Sequence, residues 1–218
     1  MDNFKSAVIL AGGQSSRMKF DKQCIVIDNK RLIFEVAKKL EKHFEDIIIV
    51  TNKKQYYKNC KYKLVSDEVP NMGPLAGIAV GLEESISDYV YIIACDMPNI
   101  DDNYISYMKK KIRKDLKSEE NIDVYICKVN DRLELFQGFY KKELAEEINY
   151  YLVNGSRKSV ISFLERNNKK VKYIEDEEFR KIDSTKDIFV NLNTKEDLNI
   201  YQNQIKNHGI YHLNLQNF

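Results

Sequence analysis

The sequence has no cysteine pair at C-x-x-C or zinc-like spacing; Cys24, Cys60, Cys95 and Cys127 stand apart. Scattered thiols argue against a disulfide framework and a zinc knuckle and fit a reducing compartment. No apolar run approaches the ~20 residues that cross a bilayer. Residues 1–10 lack an apolar signal core with a small-residue cleavage site, so a cytoplasmic protein without a membrane partner is expected. Neither sign of charge is in excess: 35 Lys and Arg against 33 Asp and Glu leave a net charge of +2. That balance offers no broad cationic face for nucleic acid and no acidic tail. Repeats and low-complexity segments are missing too, and 218 residues suffice for one core. A single domain over residues 1–203 is expected, followed by a tail, 204–218, of no clear period and unknown role. His208 and His212 in that tail would share a helix face, but Gly209 weakens the helix and no third ligand stands nearby. The pair is read as incidental.

What is present is an alternation of short apolar runs and amphipathic stretches. Residues 8–10, 47–50, 62–65 and 89–94 read as strands, most of them the continuous apolar kind that buried parallel sheets use. Residues 24–27 form a further β-like run. Ile33, Val36, Ala37, Leu40 and Phe44 recur at helical spacing, as do Ile105, Met108, Ile112 and Leu116 on a helix from about Asp101. The lysine-rich run 109–114 on that helix reads as a solvated face. A helix over 75–84 follows the turn formers Pro70, Asn71, Gly73 and Pro74. Residues 123–129 and 133–140, joined at Asn130-Asp131, read as a pair of strands. Leu144, Ile148 and Leu152 mark a helix, a short one follows Ser159 or Ser156, residues 170–174 form a late strand, and 175–178 an acidic loop. Thr194 with Asp197 resembles a capping box for a last helix. This is α/β patterning built from βαβ units.

The chain is organised around residues 10–22, LAGGQSSRMKFDK. A strand runs into Gly12 and Gly13, which can take angles closed to other residues and expose backbone N–H donors to an anion. Ser15 and Ser16 add hydroxyls, and Arg17, Lys19 and Lys22 add positive charge. The stretch lacks both the P-loop spacing and the G-x-G-x-x-G fingerprint, so it is a different phosphate cradle. Asp67 and Asp96 each close an apolar strand, and open parallel sheets bind ligands at the carboxyl ends of their strands. Mg²⁺ favours one or two carboxylates plus substrate phosphates, a role that Asp96 can fill; capping of the next helix is its simpler role. Asp67 is also an ordinary turn residue. Asn191 and Asn193, two apart, would point to one side of an extended segment. Arg157 and Lys158, near a helix start, are poorly placed for its dipole unless an anion offsets them.

Taken in order, Leu10-Ala11-Gly12-Gly13, Ser15-Ser16-Arg17-Met18, Asp21-Lys22, Gly73-Pro74-Leu75-Ala76-Gly77, Cys95-Asp96-Met97-Pro98 and Asn191-Leu192-Asn193-Thr194 resemble the molybdenum cofactor guanylyltransferases. The resemblance covers roughly residues 5–201. It implies a Rossmann-like nucleotidyltransferase fold, a mostly parallel sheet with helices on both faces. The implied reaction is magnesium-dependent transfer of GMP from GTP to molybdopterin or the molybdenum cofactor, with release of pyrophosphate. It implies that Leu10, Ala11, Gly12 and Gly13 bind the nucleotide through the backbone and that Lys22 meets its phosphates. Asp67 would hold the nucleoside, Asp96 would bind Mg²⁺, and Asn191 and Asn193 would serve the acceptor. Arg17, Lys22 and Asp96 are the catalytic candidates. Cofactor-insertion proteins and molybdoenzymes are the further partners implied. Lys19 stands where the family has glycine, Leu135 where a proline is expected, and Val50 replaces a polar residue. Two alternatives stay open: a cytidylyltransferase using CTP, and a non-catalytic cofactor carrier.

Overall fold

Five consecutive residues, Ser6–Leu10, are all buried, which requires a central strand covered on both faces. The structure, a computed structural model, describes residues 3–12, 21–67, 73–154, 159–175, 177–178 and 187–214, with side chains as far as residue 206. In chain order the strands are β1 (Ser6–Leu10), β2 (Val26–Ile27), β3 (Lys30–Arg31), β4 (Asp46–Val50), β5 (Lys63–Val65), β6 (Tyr89–Ala94), β7 (Val124–Val129), β8 (Arg132–Lys141) and β9 (Val171–Glu175). The helices are α1 (Leu32–Leu40), α2 (Pro74–Glu83), α3 (Asp102–Lys117), α4 (Leu144–Asn154), α5 (Val160–Arg166) and a C-terminal helix, Lys195–Asn214. Seven strands form one sheet in the order β5-β4-β1-β6-β8-β7-β9. Only β8 runs against its neighbours, and β1, β4, β5 and β6 are mutually parallel.

Alternation along the strands sorts the core into two layers. Ile9, Ile49, Tyr91 and Ile93 face α1 and α3, whereas Val8, Ile48, Val90 and Ile92 face α2, α4 and α5. This is the α/β fold anticipated, with helices on both faces. Helix α2 lies close to β1 because Gly77 and Gly81 present no side chain: a Cβ on Gly81 would stand 2.6 Å from Val8 Cγ1. Among the described helices, none is long and apolar enough to cross a membrane.

Several expectations need correction. The run 24–27 is a 3-10 turn, Lys22–Cys24, followed by a two-residue strand paired with β3; the turn residues Asp28 and Asn29 take positive φ. Lys109 is not solvated: it is 8% exposed, donates to His43 O at 2.6 Å and lies 4.1 Å from the Phe44 ring centroid. A lysine can bury its stem where carbonyls and an aromatic face receive the ammonium. Residues 177–178 of the acidic loop are helical rather than looped. The C-terminal helix continues to Asn214, through most of the segment 204–218, whose sequence has no clear period. The side chains of His208 and His212 lie outside the described residues.

Candidate active site

At the carboxyl end of β1 the strand is stitched to both neighbours. Cys95 N–H donates to Leu10 O at 3.0 Å, and Ala11 N–H donates to Val50 O at 2.9 Å. Leu10 and Ala11 are therefore buried, and Gly12 is the first exposed residue. Gly12 does not need the left-handed angle that glycine permits; a Cβ there would meet nothing within 4 Å. What the glycine leaves open is approach to its backbone. Among the described residues, Gly73, at the start of α2, is the glycine with positive φ, 74°. Gly13, Ser15, Ser16, Arg17 and Lys19 lie outside the described residues, as do Arg157 and Lys158.

Asp21 caps the 3-10 turn that follows, and the turn carries Lys22. Lys22 Nζ donates to Asp96 Oδ2 and to Asn193 Oδ1, each at 2.6 Å. The Asp96 side chain is 8% exposed and that of Lys22 is 26% exposed. Asp96 follows β6, and its carbonyl accepts Leu192 N–H at 3.0 Å, which docks the Asn193 segment beside it. Gln137, buried in β8 with φ 60°, donates its side-chain amide to Ile188 O. Asn99 donates to Asp187 O at 2.7 Å. These bonds hold the C-terminal arm against the sheet, and the capping box forms: Thr194 N–H donates to Asp197 Oδ2 and Asp197 N–H to Thr194 Oγ1.

Asp67 follows β5 and accepts the side-chain amide of Asn52, which follows β4. Three inter-strand gaps separate β5 from β6, or about 14 Å. The sheet edge thus has an Asn52–Asp67 pair at one side and the Lys22–Asp96–Asn193 cluster at the other, with the backbone of residues 10–12 between. Asn191 does not join the cluster. Its amide donates to Phe189 O at 3.0 Å, and Asn193 N–H returns to Asn191 O at 3.1 Å. The segment turns instead of extending, because a two-residue hydrogen bond folds the chain back.

Asn52 was missed in the sequence, although its position just past an apolar strand is the one that singled out Asp96. Gln23 was missed too. It is buried between Thr51, Tyr57 and Asp21, with no sequence signal beyond its place beside Lys22.

The cluster contains no activated nucleophile. The Cys95 thiol is pushed far above its ordinary range by burial and by the neighbouring Asp96 charge. No group of three or more His, Cys, Asp and Glu side chains suited to a metal exists among the described residues. One carboxylate and one amide oxygen do meet at Lys22. The Asp96 carboxylate alone fits a cation such as Mg²⁺, which completes its shell with waters and phosphates. A cation, a carboxylate and the exposed backbone at Gly12 are the makings of a phosphate-transfer site.

Residues 7–171 match the MobA-like NTP transferase domain. The chain belongs to the MobA-like NTP transferase family. Within it, the chain is 43% identical to the probable molybdenum cofactor guanylyltransferase of Peptoclostridium acidaminophilum, over 91% of this chain and 88% of that one. It is 38% identical to the molybdenum cofactor guanylyltransferase of Syntrophotalea carbinolica, over 92% of each. The fold resembles that of molybdopterin-guanine dinucleotide biosynthesis protein A from Archaeoglobus fulgidus, with a TM-score of 0.77 and 24% identity over 93% of this chain and 99% of that one. As a MobA-like chain it is a nucleotidyltransferase.

Proposed function

We propose that the protein transfers GMP from GTP to the terminal phosphate of molybdopterin or the molybdenum cofactor and releases pyrophosphate. The observation that carries this reading is the Lys22 ammonium, which touches Asp96 on the sheet edge and Asn193 on the C-terminal arm. The names of the relatives at 43% and 38% identity support the choice of guanine and of the acceptor.

An acceptor phosphate oxygen can attack the α-phosphorus directly, so the protein's task is to bring two anions together and offset their repulsion. Lys22 supplies charge where donor and acceptor phosphates would meet, with Arg17 assisting. The exposed backbone at Gly12 receives the donor phosphates, and Asp67 with Asn52 holds the nucleoside, the strand of Asp67 lying about 14 Å from that of Asp96. Asp96 would hold magnesium, which would supply Lewis-acid neutralisation of the departing pyrophosphate. Asn193 flanks the acceptor side, while Asn191 is held away from it by Phe189 O. The product then passes to cofactor-insertion proteins or molybdoenzymes in the cytoplasm.

The test is incubation with molybdopterin, Mg²⁺ and each α-labelled nucleoside triphosphate in turn. Labelled pterin dinucleotide and pyrophosphate from GTP alone support the reading. Turnover with CTP alone overturns the base assignment, and cofactor binding without transfer from any nucleotide leaves a carrier.

A further inference from the structure

Lys22 is a flexible side chain on a three-residue turn. Its ammonium can be held between Asp96 and Asn193 only if the turn itself is fixed. Inside the turn that task falls to a neutral amide. Gln23 is 4% exposed, and its amide is saturated. Nε2 donates to Asp21 Oδ1 at 2.9 Å and Oδ2 at 3.0 Å. Oε1 accepts from Thr51 Oγ1 at 2.8 Å and from Tyr57 OH at 3.0 Å. Its carbonyl accepts Arg31 Nη2 at 2.8 Å, and the Arg31 guanidinium lies 4.8 Å from the ring centroids of both Phe34 and Tyr57. Thr51 follows β4 directly, and its N–H donates to Val65 O at 2.8 Å.

The amide therefore ties the Lys22 turn to the ends of β4 and β5, the strands that present Asn52 and Asp67. We propose that Gln23 is a positioning residue for Lys22, setting the distance between the nucleoside side and the phosphate side of the nucleotide site. The inference rests on the nucleotidyl-transfer reading above. A buried amide suits the task because it donates on one edge and accepts on the other without carrying a charge. An apolar residue of the same size would leave the Thr51 and Tyr57 hydroxyls without this acceptor and Asp21 with Lys53 as its remaining side-chain partner.

Equilibrium GTP binding, measured by calorimetry on the full chain in a double-mutant cycle, tests this. Gln23→Met keeps the volume and removes every side-chain hydrogen bond. It should weaken GTP binding roughly tenfold when Lys22 is present and less than about twofold in the Lys22→Ala background. Equal losses in both backgrounds would show a merely structural residue and overturn the proposal. Gln23→Glu is the second variant and carries the same cycle if Gln23→Met does not fold. It retains the acceptor but sets a second carboxylate against Asp21, so its loss should shrink from about pH 8 to about pH 5.5, where the pair can share a proton. A pH-independent loss counts against the role given to the Asp21 edge. If the protein binds CTP and not GTP, the base assignment fails while the same cycle run with CTP still decides the role of Gln23. Binding of neither nucleotide overturns both.

Discussion

Lys22 and Asn193, 171 residues apart, are joined by a 2.6 Å hydrogen bond from the ammonium to the amide oxygen. The contact fastens the C-terminal arm to the turn that carries Lys22. Asn193→Ala should raise the KM for molybdopterin roughly tenfold or more, the weight of a charge-assisted hydrogen bond, and leave the KM for GTP within about twofold. Steady-state kinetics with each substrate varied separately would check the split.

Asp96→Asn keeps the size of the side chain and an acceptor for Lys22 but removes the charge available to a cation. Transfer should fall by roughly 10²–10³-fold, the scale seen when one electrostatic partner of a transition state is lost. The Mg²⁺ concentration for half-maximal activity should rise, while the melting temperature moves little. A titration of Mg²⁺ at saturating GTP reads both effects.

Two glycines should respond oppositely to alanine. A Cβ on Gly81 would stand 2.6 Å from Val8 Cγ1, whereas a Cβ on Gly12 would meet nothing within 4 Å. Gly81→Ala should cost about 1–3 kcal/mol of stability through overpacking of α2 on β1. Gly12→Ala should leave stability within about 0.5 kcal/mol and lower transfer instead, since the added methyl obstructs the backbone a phosphate would approach. Denaturant unfolding paired with an activity assay separates the two.

The acid limb of the stability curve has an identifiable contributor at the same turn. Burial raises the Asp21 carboxyl, but hydrogen bonds from Lys53 and Gln23 outweigh it, and the group sits below its ordinary 3.8. A depressed carboxylate contributes stability that is fully present above the unfolded value and is lost as pH falls through the folded one. Asp21→Asn should therefore lower the melting temperature at neutral pH and narrow its difference from the parent protein below about pH 4. Melting temperatures across that range would show the two curves converging.

Much of this was legible in the sequence, because each such feature depends on near neighbours. Strand 89–94 was read with the bounds Tyr89–Ala94, since a six-residue apolar run between Asp88 and Cys95-Asp96 has the length and composition of a strand buried on both faces. The Thr194–Asp197 cap formed as spaced. Asp67 and Asp96 both lie at strand ends, as their apolar leads indicated. The features that escaped depend on distant partners. Lys109 looks solvated until Phe44 and the His43 carbonyl are packed beneath it. Asn191 turns away because Phe189 O takes its amide. Gln23 becomes informative only when Thr51 and Tyr57 arrive from 28 and 34 residues away. The C-terminal helix runs through Gly209 to Asn214, beyond where the apolar period fades.

The central claim is that one ammonium serves both substrates. Calorimetric titration of Lys22→Met with GTP and, separately, with molybdopterin tests it most directly. Weakened binding of both ligands, each by roughly tenfold or more with the fold intact, is the expected result. Loss of GTP binding with molybdopterin affinity unchanged, or the reverse, would contradict a lysine shared between donor and acceptor.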